Sequence, residues 1–74
     1  MRATMWIPKI QEIRRSKGLM QGFVAKECSI SQQMLSEYEK AKTYPRAPIL
    51  FNLAKVLGCK VDDLYEWKND IKEP

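Results

Sequence analysis

A chain of 74 residues has room for one domain around one small core, and at that size folding buries only about 60% of the unfolded surface, so stability is thin. With 45% apolar and 30% charged residues the composition excludes a disordered chain, and no apolar run reaches the ~20 residues of a membrane-spanning helix. Residues 1–60 carry 11 Lys and Arg against 4 Asp and Glu, and residues 61–74 carry 2 against 5; a basic body with an acidic end suggests a polyanion-facing surface and a second, separate one.

No stretch alternates with period two for long enough to suggest a strand, and Gly and Pro punctuate five segments of helical spacing. Residues 1–6 read as an N-terminal arm without the hydrophobic stretch of a signal peptide, which points to the cytoplasm. Pro8 suits the first turn of a helix, where its missing N–H costs nothing. Ile7, Ile10 and Ile13 mark one face of that first helix, and Gly18 supplies its stop. A second helix is expected over residues 20–27, with Val24, Ala25 and Cys28 on its inner side. After a turn at Cys28, Ser29 and Ile30, Ser31 is a good N-cap for a third helix over residues 32–40, with Leu35 and Tyr38 facing inward. Residues 41–47 read as a loop. Pro48 opens a fourth helix whose stripe of Leu50, Leu53, Ala54 and Leu57 is the cleanest amphipathic signal in the chain, and Gly58 stops it. A fifth helix is expected over residues 61–67, with Asp62 and Asp63 in its first turn, where the helix dipole favours negative charge. Residues 68–74 read as an acidic extension of a single domain.

Cys28 and Cys59 are the only cysteines, and there is no histidine. A zinc site needs about four Cys or His ligands at close spacing, so no metal is expected. Both thiols fall on apolar stripes, where a free cysteine acts as a small hydrophobe. With no nucleophile beside a base, no Gly-rich phosphate loop and no carboxylate pair, the residues point away from an enzyme, and no cofactor is implied.

The second helix, short turn and third helix have the layout of a helix-turn-helix, which lays its second helix in the major groove of DNA. Over residues 10–67 the chain resembles the phage-repressor and Cro-type helix-turn-helix family, also called the xenobiotic-response-element family. The matching residues are Lys17-Gly18-Leu19-Met20-Gln21, Val24-Ala25, Ile30-Ser31-Gln32-Gln33-Met34-Leu35-Ser36-Glu37-Tyr38-Glu39, Pro45, Leu53-Ala54-Lys55-Val56-Leu57-Gly58 and Val61-Asp62-Asp63-Leu64. The resemblance implies an all-α, lambda-repressor-like bundle of five short helices and a sequence-specific regulator of transcription, a repressor, acting on a double-stranded DNA operator.

At the start of the third helix stand Gln32 and Gln33, and a Gln amide can pair bidentately with adenine N6 and N7; outside this motif they read as two solvated polar side chains. The resemblance places Ser36 and Glu37 in the groove as well. Glu37 departs from the usual neutral or basic residue there, and either accepts from cytosine N4 or repels phosphate. Gln21 matches a position that grips a backbone phosphate at a helix N-terminus. Lys40, Lys42, Thr43 and Arg46 surround the following loop as phosphate contacts, which set affinity and salt dependence rather than sequence choice.

The resemblance further implies a buried ion pair between Arg14 and Glu39 that braces the third helix. Ser29 and Ala41 replace the glycines usual after the second and third helices, a strain of about 1–2 kcal/mol each if the backbone there is left-handed. Phe23 replaces a usually polar residue and is expected to be half-exposed. Leu64, Trp67 and Ile71, spaced i, i+3 and i+7, suggest a homodimer contact, the alternative being that Trp67 caps the core. A second function stays open, a protein-interaction module of the antitoxin or anti-repressor-binding kind that uses Phe23, Trp67 and Ile71, with DNA binding secondary.

Overall fold

The computed structural model describes residues 4–69. Four α-helices, α1 (Ile10–Ser16), α2 (Gln21–Glu27), α3 (Gln32–Glu39) and α4 (Ala47–Leu57), are followed by a 3-10 turn, Val61–Asp63. Two strands, β1 (Thr4–Pro8) and β2 (Tyr65–Asn69), pair antiparallel into a ribbon, with Trp6 opposite Trp67 and Pro8 opposite Tyr65.

The helical body is built on its apolar stripes. Ile10, Val24, Leu35, Leu53, Leu57 and Leu64 are fully buried and form the centre of the core, with Ala25, Cys28, Tyr38 and Ala54 around them. Burying a side chain of Leu or Ile size contributes about 1.5–3 kcal/mol, so the stripe of α4 and its partners on α1, α2 and α3 supply most of the apolar drive. Burial pushes both thiols, Cys28 and Cys59, above their ordinary pKa, which keeps them protonated and consistent with a packing role.

All four helices end in the same way. The residue beyond the C-cap or at it turns left-handed at Gly18, Ser29, Ala41 and Gly58, with φ between 58° and 70°. The next N–H then reaches back five residues, Leu19 to Arg14, Ile30 to Ala25, Lys42 to Glu37 and Cys59 to Ala54, at 2.9–3.1 Å. Such closures satisfy carbonyls that the helix itself leaves open. At Ser29 and Ala41 a Cβ occupies a conformation that glycine adopts without strain.

Three expectations need correction. The fifth helix over residues 61–67 is absent: after one 3-10 turn, held by a bond from Lys60 N–H to Asp63 Oδ2 at 3.0 Å, the chain becomes β2. Tyr and Trp at positions 65 and 67 fit an extended strand once a partner is supplied, and the partner lies some sixty residues upstream. Residues 4–6 of the expected N-terminal arm belong to β1, and residues 1–3 lie outside the described residues, so Pro8 closes a strand instead of opening α1. There Lys9 donates its N–H to Leu64 O at 2.7 Å, joining the ribbon to the core. The chain is therefore mostly helical rather than all-α, and Lys68 and Asn69 belong to a strand rather than to an extension.

Leu64 is the third correction. It is wholly buried, so it packs the core and offers nothing to a second copy. Of the other two suggested dimer contacts, Trp67 is half-exposed, and Ile71 lies outside the described residues.

Candidate nucleic-acid interface

The start of α3 is set by Ser31, whose Oγ accepts the Met34 N–H at 3.0 Å. That cap leaves Gln32 and Gln33 as the first two helical residues, and both side chains are exposed. Leu35 and Tyr38, on the opposite side, are buried. The helix thus turns an apolar side to the core and a polar N-terminal side to solvent.

Beneath it runs a chain of polar contacts. Arg14 on α1 donates from Nε to Glu39 Oε2 at 2.7 Å and from Nη2 to Oε1 at 3.3 Å. Its Nη1 donates to the carbonyl of Leu19 at 2.9 Å. Both residues are buried, each with only 8% of its surface exposed, and the forked geometry fixes the two planes relative to each other. Glu39 Oε1 also accepts from Gln21 Nε2 at 3.0 Å, and Gln21 Oε1 in turn accepts from Gln32 Nε2 at 3.1 Å. One connected series therefore runs from the middle of α1 through the end of α3 and the start of α2 to the amide of Gln32.

That series changes the picture of the two glutamines. Gln32 does not stand free; its amide leans on α2, and a Cβ placed on Gly22 would lie 3.4 Å from its Oε1. The Gln33 side chain makes no intramolecular hydrogen bond among the described residues. Ser36 and Glu37, one turn on, are half-buried. Lys40, Lys42, Thr43 and Arg46 are all exposed on the segment that leaves α3, and none of their side chains is in an ion pair among the described residues. Phe23 is half-exposed, at 49%.

Sequence reasoning missed the Gln21–Gln32 contact, because two residues eleven apart on different helices meet only once the crossing of α2 and α3 is known. It also missed Trp6, Tyr44 and Tyr65. Together with Trp67 they line an open groove of about 590 Å3 between the ribbon and the segment joining α3 to α4. Alternation of Tyr65 and Trp67 about Glu66 was the available signal.

Two short helices around a four-residue connection, the second capped by Ser31 and presenting polar residues outward, define a helix-turn-helix. A helix-turn-helix family model matches residues 10–64, and the chain belongs to that family, in its Cro and repressor branch. It is 36% identical over 64 residues to the uncharacterized HTH-type transcriptional regulator YazB of Bacillus subtilis, covering 86% of this chain and 93% of the relative. To the uncharacterized HTH-type transcriptional regulator MJ0272 of Methanocaldococcus jannaschii it is 31% identical over 62 residues, covering 84% and 94%. Among solved structures it is similar to the P22 c2 repressor in complex with a synthetic operator, with a TM-score of 0.70 and 28% identity over 73% of this chain and 82% of that one.

Proposed function

We propose that this protein is a sequence-specific regulator of transcription, a repressor, that binds double-stranded DNA with α3 in the major groove. The observation that carries the reading is the braced, exposed N-terminal end of α3. Gln33 is free to meet a base edge, and Gln32 is held by Gln21 with its Nε2 toward α2. A Gln amide that keeps one oxygen and one N–H available matches adenine N7 and N6. With one N–H engaged by Gln21, Gln32 retains its second N–H and has a fixed amide polarity, so it meets DNA without first losing rotamer freedom.

Gln21, Lys40, Lys42, Thr43 and Arg46 serve as the phosphate contacts, and Ser36 and Glu37 border the bases they flank. The likeness to a repressor bound to its operator supports this placement, as does the excess of basic residues over residues 1–60. The protein acts in the cytoplasm as a homodimer on two half-sites one DNA turn apart. No helix among the described residues is long and apolar enough to cross a membrane. No catalytic role is assigned to any residue.

Selection of binding sites from a random DNA pool tests the reading. The parent should enrich one motif, and Gln32→Ala and Gln33→Ala should each relax it at a defined base pair. If both variants select the parent motif unchanged, the assignment of readers fails. Half-exposed Phe23 favours the second reading, a protein-interaction module; co-purification of a partner with no sequence-preferring DNA binding would establish it instead.

A further inference from the structure

The groove between the ribbon and the α3–α4 segment is unused by any role described so far. Four aromatic rings line it, Trp6 and Trp67 from the ribbon face, Tyr65 beside them and Tyr44 across from Tyr65 at 5.8 Å between ring centres. Pro45, Leu50 and Val61 complete the apolar wall. At about 590 Å3 it lies within the roughly 300–1,000 Å3 of small-molecule sites.

Two details narrow the occupant. Asp62 is the one charged residue in the lining among the described residues, on a chain where Lys and Arg outnumber Asp and Glu by 13 to 9. Aromatic faces are the negative side of the ring quadrupole, and a carboxylate beside them adds to the same field, so the groove attracts a cation and repels an anion. The hydroxyl of Tyr65 is shut off from solvent, so Tyr65 offers the groove its ring and not a hydrogen bond.

We propose that this groove binds a free small organic cation of the alkylated ammonium class, with the aromatic rings around the ammonium head and Asp62 as its counter-charge. The reading does not depend on DNA binding. It also differs from a contact between copies, because the occupant is soluble and charged.

The chain carries its own reporter, since its only two tryptophans both line the groove. Without DNA, titration with choline should change tryptophan emission saturably. Its uncharged isostere 3,3-dimethylbutan-1-ol should bind roughly 3- to 30-fold more weakly, the fold-change equivalent of a cation–π contribution. Asp62→Asn, an exposed change outside the core, should weaken choline several-fold and leave the alcohol unaffected. Equal affinity for choline and the alcohol, or no saturable change, overturns the proposal. So does a choline response that disappears as protein concentration rises, because a second copy then fills the groove.

Discussion

Arg14 and Glu39 each bury a charge that only the other neutralises. Removing one partner strands the other in the core, so Arg14→Ala should lower stability by about 3–5 kcal/mol in chemical denaturation. An unchanged unfolding midpoint would show that the pair braces nothing. Neither residue announces the pair by spacing, since 25 positions separate them; it came into view through the family resemblance alone. At the DNA-facing end, Gln33→Ala should cost about 1–3 kcal/mol of discrimination at a single base pair while leaving binding to random DNA nearly intact. Ser29 and Ala41 are the reverse case, residues whose replacement should help. Changing each to Gly should raise stability by roughly 1 kcal/mol, the relief of left-handed strain less the entropy that glycine adds to the unfolded chain.

Tyr65 makes a prediction in pH. Burial chiefly, with the neighbouring Tyr44 and Tyr38 phenols adding to it, pushes its pKa from the ordinary 10 up to about 12. The folded chain therefore favours the neutral phenol more than the unfolded chain does. That contribution to stability is fully present below pH 10 and is lost as pH rises toward 12. Alkaline unfolding of the parent should steepen in that window, and Tyr65→Phe should flatten the curve there.

The four helices were legible because each carries its own evidence: an apolar stripe, a cap at Ser31, a glycine stop at Gly18 or Gly58. The ribbon was not. The alternation of Tyr65 and Trp67 about Glu66 spans three residues, too few to stand out against a background of helical spacing, and residues 61–67 carry an acidic first turn that suits a helix equally well. What decides between them is the pairing with residues 4–8, a non-local fact that local propensity cannot contain. The Trp6 and Trp67 rings, 4.4 Å apart and tilted by 60°, meet directly across the ribbon. A double-mutant cycle between Trp6→Ala and Trp67→Ala should return a coupling of about 0.5–1.5 kcal/mol in unfolding free energy. A coupling near zero would mean that backbone pairing alone holds the strands.

For the molecule as a whole, attraction to DNA is a matter of counted phosphates. The logarithm of affinity should fall linearly with that of salt concentration, by about 0.9 for every phosphate neutralised. Replacing Lys40, Lys42 or Arg46 by Ala should lower that slope by about one each while preserving the selected motif. A slope indifferent to all three would place the phosphate contacts elsewhere.

The ribbon pairs Thr4 with Asn69 and Pro8 with Tyr65, so it joins segments that sit at opposite ends of the chain, whereas the helices close over short stretches. Contacts between distant segments require the intervening chain to be gathered first. The helical body can therefore assemble before the strands meet, and the strands can part without dismantling it. Amide protons of residues 4–8 and 65–69 should accordingly exchange with deuterium well before those of Leu35, Leu53 and Leu57. The wall of the aromatic groove is then the least protected part of the fold.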